Sequence, residues 1–308
     1  MTVPDIAVTV LGGYLGAGKT TLLNRILAGA PRGTAVLVND FGAVDIDSSL
    51  IAAAADDDTP GIVSLANGCI CCTISDGLAG ALDTIRNYDP RPERLVIEAS
   101  GVSRPGDVAN YARLPGFRLD AVVVIADAEQ LQAQARDKFV GDVVRDQLAA
   151  ADLLVLNKGD LVTSDHLGSL RLWAATRAPH AAIVTAEHGD VPLDLVLAVG
   201  AERERPHDHD DHDHRDTTFA SWSHVTREVV ASERLATLLA TAPPDVVRMK
   251  GIVRTAEAPN RRTVVHRVGS RSEITDGGPW RDDESSRIVA IGRPGAIDDD
   301  WLAIQLSD

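Results

Sequence analysis

The string GYLGAGKT, Gly13 to Thr20, narrows the fold more than any other stretch of this chain. It satisfies G-x-x-x-x-G-K-S/T, follows the apolar run IAVTVLG and precedes the helix-prone KTTLLNRILAG. A strand, a tight glycine loop and a helix in that order form a phosphate cradle. The glycines let the backbone curl so that successive N–H groups converge on anionic oxygens, and the helix start adds free amides and its dipole. Gly13, Gly16, Ala17, Gly18, Lys19, Thr20 and Thr21 are therefore the expected nucleotide-binding residues. Lys19 would reach the β- and γ-phosphates, and the Thr20 hydroxyl would sit on Mg2+.

The surrounding pattern agrees with that unit. Apolar runs TAVLVND, RLVIEAS, DAVVVIADA, DLLVLNKGD and AAIVTA alternate with helix-like stretches such as VVRDQLAAA and LDLVLAVGA. Continuous Val/Ile/Leu runs mark strands buried on both faces, so a parallel sheet in an α/β domain is expected over residues 1–201. Residues 202–216, ERERPHDHDDHDHRD, have no apolar residue except Pro206 and read as a solvated linker. From 217 to 308 the texture changes to strand candidates FASWSHVTREV, VVRMKGIVRT, RTVVHRVGS and RIVAIG, with SERLATLLATA as a helix between the first two. That predicts a smaller α+β domain with an antiparallel sheet.

NKGD, Asn157 to Asp160, follows the buried run LLVL. A carboxylate at Asp160 accepts two hydrogen bonds from N1–H and the 2-amino group of guanine, whereas adenine offers neither donor, so GTP is preferred over ATP. Asn157 is expected to orient the loop and touch the base edge, with the Lys158 stem along the base face. Glu98 ends RLVIE with Gly101 three residues on, a placement that suits an acidic magnesium organiser and an amide that senses the γ-phosphate. In VNDFGAVDID, Asp40 is the candidate for placing water or the metal shell, while Asp45 and Asp47 fit loop solvation. Lys19, Asp40 and Glu98 are thus the expected hydrolytic set.

All three cysteines of the chain, Cys69, Cys71 and Cys72, fall within NGCICC. Adjacent thiols make a poor disulfide framework, and thiolates suit Zn2+ and related borderline or soft ions. No second Cys pair closes a structural zinc site, so this cluster reads as an open, exchangeable one, with three small buried hydrophobes as the competing reading. Extended alternation would point Cys69 and Cys71 to one side and Cys72 to the other. HDHDDHDH adds His207, His209, His212 and His214, a flexible imidazole and carboxylate strip suited to weak metal loading or to plain solvation.

The formal net charge of -15 argues against nucleic-acid binding, which needs a surplus of Lys and Arg. No apolar run approaches the ~18–20 residues that span a bilayer, and the first residues lack the pattern of a signal peptide. A reducing, cytoplasmic setting without membrane attachment is expected.

Together, LGGYLGAGKTTLLNRIL, VNDFG, NGCICCT, VIEASG, LNKGDL and the late RMKG followed by IG resemble the CobW family of P-loop GTPases, which belongs with metallochaperone and metallocentre-assembly GTPases. The resemblance implies a P-loop NTPase sheet domain and a smaller C-terminal α+β domain of the CobW type. By the same resemblance Gly13–Thr20 bind phosphate and Mg2+, Asn157–Asp160 read guanine, and Cys69, Cys71 and Cys72 hold a cargo metal, Zn2+ or Co2+. The family commonly shows NEFGE where this chain has NDFGA, so an auxiliary glutamate ligand is missing here, and EASG replaces an ETTG-like string. The expected function is slow, Mg2+-dependent GTP hydrolysis that delivers zinc to a client metalloprotein docked partly on the C-terminal domain, with a possible nucleotide-dependent homodimer. Cobalt delivery to cobalamin or nitrile-hydratase-type centres, and a nucleotide-gated regulatory module with structural thiols, are the alternatives.

Overall fold

The computed structural model describes residues 4–38, 62–64, 70–197, 219–281 and 284–306, with the backbone alone over 62–64 and 70–77. It divides into two compact units, Val3–Ala198 and Val199–Asp308. Asp40, Asp45, Asp47, Cys69, the four histidines from His207 to His214 and the whole 202–216 stretch lie outside the described residues.

The first unit is built on a seven-stranded sheet. Its strands are β1 (Ile6–Gly12), β2 (Thr34–Val38), β3 (Ile62–Ser64), β4 (Arg94–Glu98), β5 (Phe117–Asp127), β6 (Leu153–Asn157) and β7 (Ala182–Thr185). The order is β3-β2-β4-β1-β5-β6-β7, and every pairing is parallel. β1, β2 and β6 are buried along their whole length, as strands covered on both faces must be. Helices α1 (Lys19–Gly29), α2 (Ile70–Arg86), α3 (Pro105–Tyr111), α4 (Leu131–Arg136), α5 (Gly141–Ala150), α6 (Ser164–Arg177) and the short α7 (Leu193–Val196) connect the strands. α2 turns Leu78, Ala81, Leu82 and Ile85 into the core, and α5 does the same with Val144 and Leu148. That three-and-four spacing is the helical period written into the sequence.

The second unit is an antiparallel sheet of five strands in the order β11-β10-β9-β12-β8. β8 (Ala220–Thr226), β9 (Val246–Arg254), β10 (Arg261–Val268), β11 (Arg271–Pro279) and β12 (Ser286–Gly292) are joined by α8 (Ser232–Thr241) and followed by α9 (Trp301–Leu306). Leu235, Leu238 and Leu239 of α8 are buried against Met249, Val253, Val265, Ile288 and Ala290 of the sheet. Burial of each such leucine stabilises the unit by about 2 kcal/mol.

Three details depart from the sequence reading. LDLVLAVGA is helical only over Leu193–Val196 within the described residues. β3, β11 and α9 are elements that the apolar patterning did not disclose. Finally, Cys71 and Cys72 belong to the first turn of α2, where successive residues advance by about 100°, so the extended alternation expected for the thiols does not apply to this pair.

Candidate nucleotide-binding site

The sheet places its chemistry at the carboxyl ends of the central strands. In register, Leu11 of β1 lies opposite Glu98 of β4, Gly12 opposite Val124 of β5, and Asp127 of β5 opposite Asn157 of β6. Ligands of open parallel sheets bind outside these ends.

The phosphate loop leaves β1 at Gly12. Gly13 and Gly18 have φ of 139° and 107°, in the region that favours glycine. Space imposes the same choice: a Cβ on Gly13 would overlap the Ile125 carbonyl oxygen, and one on Gly18 would collide with the Asn157 amide nitrogen. The Ala17 N–H donates to the Tyr14 carbonyl at 3.2 Å, which closes the curl. Lys19 is buried at the first turn of α1 and donates from Nζ to the Gly13 carbonyl at 2.9 Å and to that of Tyr14 at 3.4 Å. Its ammonium is therefore gathered in along the loop whose amides form the cradle. Thr20 is half-buried and Thr21 exposed on the same turn.

Asn157 is almost fully buried. Its Nδ2 donates to the Ala17 carbonyl at 2.9 Å, and its Oδ1 accepts the Gly189 N–H at 2.8 Å. Both polar atoms thus orient loops on either side of the strand end. Lys158, with a left-handed φ of 61°, pairs through Nζ with Asp127 Oδ2 at 2.6 Å. Asp127 Oδ1 accepts the N–H groups of Glu129 at 2.9 Å and Gln130 at 3.3 Å, so a buried carboxylate fixes both the β5 turn and the lysine. Asp160 is exposed in the short turn Gly159–Leu161, where its carboxylate is accessible to a base.

Glu98 is buried at the end of β4. Gly101 follows in a turn pressed onto the phosphate loop, with a Cβ on it falling 2.5 Å from Leu15 Cδ2. The Gly101 turn and the phosphate loop are therefore in contact through Leu15. The hydrolytic candidate Asp40 and the thiol Cys69 are not placed, and no cluster of three or more His, Cys, Asp or Glu side chains is found among the described residues.

Several contributors escaped the sequence reading. Asp127 was hidden inside a strand run, and its place in the site comes from the register that sets it opposite Asn157. The AEHGD turn after β7 carries Gly189, and Arg25 of α1 secures it by donating to the His188 carbonyl at 3.0 Å and pairing with Asp190 at 2.7 Å. Two glycine-like φ values in succession, at His188 and Gly189, mark this turn as conformationally unusual.

Residues 7–185 match the CobW/HypB/UreG nucleotide-binding domain, and residues 219–308 match the cobalamin synthesis protein cobW C-terminal domain. The zinc chaperone CobW of Pseudomonas aeruginosa is 32% identical over 99% of this chain and 92% of its own. The zinc chaperone YjiA of Escherichia coli is 36% identical over 62% of this chain and 60% of its own. The crystal structure of Zn(II)-bound YjiA GTPase from E. coli aligns with a TM-score of 0.49 at 23% identity, covering 99% of this chain and all of that one. Among the described residues no helix is long and apolar enough to cross a membrane. The chain therefore belongs to the CobW/HypB/UreG family and carries the CobW-type C-terminal domain.

Proposed function

We propose that this protein is a GTP-dependent metallochaperone: it binds a divalent metal, zinc in preference to cobalt, at Cys69, Cys71 and Cys72, and uses GTP hydrolysis to deliver it to a client metalloprotein. The observation that carries the nucleotide half is Asn157, whose amide joins the phosphate loop to the strand that presents Asp160. One nucleotide gripped at both ends suits that bridge. Asp160 selects guanine, Lys19 and the loop amides hold the phosphates, and the Gly101 turn reports on the terminal one.

The donors at this end of the sheet, the Thr20 hydroxyl and the Glu98 carboxylate, are hard oxygens, which suits Mg2+. When bound, that ion supplies charge neutralisation to the phosphates. No arginine finger is identifiable in the sequence, so hydrolysis is slow without a partner. The metal half rests on the thiol cluster and on the zinc-chaperone names of the relatives. Thiolate sites accept Zn2+ and Co2+ alike, and cobalt stays the second choice. The His207, His209, His212 and His214 strip would load metal weakly, and the client would dock partly on the C-terminal unit.

The experiment is release of Zn2+ from loaded protein to a chromophoric chelator. GTP should speed release as it is hydrolysed, and a non-hydrolysable analogue should not. Equal release rates with the two nucleotides would contradict delivery by hydrolysis.

A further inference from the structure

Gln147 stands out on the buried face of α5. Its neighbours Val144 and Leu148 enter the core by helical spacing, yet Gln147 is a polar side chain buried to the same degree. Burying an amide is favourable only when its hydrogen bonds are made. Here Nε2 donates to the Gly101 carbonyl at 3.1 Å and to the Ser103 carbonyl at 3.0 Å. Both acceptors lie in the turn after Glu98, 46 and 44 residues away in sequence.

The rest of that turn is pinned from several sides. The Ser100 carbonyl accepts the Ser103 N–H at 3.0 Å and the Ser103 hydroxyl at 2.8 Å. Arg104 pairs with Asp146, the residue before Gln147, at 2.9 Å. Gly101 packs against Leu15, and Pro105 against Gly12, so the turn lies on the phosphate loop itself.

These contacts have a directional consequence. In a trans peptide the N–H points opposite to the C=O. Drawing the Gly101 carbonyl toward α5 therefore turns the Val102 N–H away from α5. Engaging the Ser100 carbonyl with Ser103 likewise turns the Gly101 N–H away from Ser103. Among the described residues neither amide donates to another protein group, and Val102 is 41% exposed.

We propose that Gln147 is a positioning residue: its paired hydrogen bonds set the Gly101–Ser103 backbone so that the Gly101 and Val102 amides meet the terminal phosphate of the nucleotide. Gln147 itself touches no phosphate. It makes the turn competent to distinguish a triphosphate from a diphosphate and to stabilise charge during transfer. The proposal rests on the GTPase reading above.

Gln147→Met keeps the length of the side chain and removes both donors. Gln147→Asn keeps the amide but shortens the reach by one methylene. Leu148→Met, on the same helix face, is the control for core packing. For each variant the full-length protein is assayed for kcat and KM with GTP, for affinity toward GDP and a non-hydrolysable GTP analogue, and for Tm. The expected result for both Gln147 variants is a kcat lower by ~10–100-fold. Analogue affinity should fall about tenfold, GDP affinity should stay within about twofold, and Leu148→Met should match the wild type. Analogue and GDP affinities that fall together in both Gln147 variants, or a kcat that does not change, overturn the positioning role. A wild-type protein that hydrolyses no GTP overturns the GTPase reading instead, so the two failures are distinguishable.

Discussion

The side-chain amide of Asn157 donates to the Ala17 carbonyl at 2.9 Å, joining residues 140 apart in sequence. Through its other end it accepts the Gly189 N–H at 2.8 Å. The phosphate loop, the end of β6 and the turn after β7 are thereby parts of one structure. The shape of the phosphate cradle depends on a residue that the sequence motif assigns to the base.

Asn157→Ala removes both ends of this bridge and leaves a buried carbonyl and a buried N–H without their partner. Such a loss costs about 1–3 kcal/mol of stability. GTP and GDP affinities should fall together by about tenfold or more, read by fluorescence titration. An Asn157→Ala protein that binds GDP within about twofold of wild type would contradict the bridging role.

The glycines of the loop differ in what surrounds them. Gly13→Ala faces both a φ of 139° and the Ile125 carbonyl, while Gly16→Ala has a φ of 76° and nothing within 4 Å. Urea unfolding should show a loss of about 1–2 kcal/mol for Gly16→Ala and about 3 kcal/mol or more for Gly13→Ala. Equal losses would show that close approach to β5 does not constrain the loop.

Asp160 is exposed and makes no contribution to the core, so its replacement tests recognition rather than folding. Asp160→Asn should weaken GTP binding by ~10–100-fold while Tm stays within a few degrees, because one carboxylate acceptor facing two guanine donors is lost. Competition of GTP against ATP in both proteins measures the change. Unaltered preference for GTP would mean that another group reads the base.

The parts of the site that the sequence disclosed are contiguous strings. Gly13–Thr20 and Asn157–Asp160 each hold several candidate residues in one short string, so spacing alone reveals them. The parts it concealed depend on tertiary register. Asp127 matters because β5 and β6 pair with it opposite Asn157, and Gln147 matters because α5 packs beside the Gly101 turn. Neither relation leaves a local pattern. Among the elements, β11 was missed because RSEITDGGP has a single large aliphatic residue, Ile274, and ends in GGP, and β3 because three residues give too short an alternation to read. The helix over Ile70–Arg86 overruled the extended reading of Cys71 and Cys72, since the stripe Leu78, Ala81, Leu82 and Ile85 sets a helical period through that region.

The central claim is that nucleotide state governs the grip on metal. By linkage, if GTP tightens metal binding, metal tightens GTP by the same factor. The direct measurement is anaerobic competition for Zn2+ between a chromophoric chelator and the full-length protein, with GDP or a non-hydrolysable GTP analogue bound. Cys69→Ser/Cys71→Ser/Cys72→Ser is the reference that lacks the thiols. The account predicts Zn2+ affinity at least about tenfold higher in the analogue-bound form, abolished in the triple variant. Equal Zn2+ affinities in the two nucleotide states would contradict it.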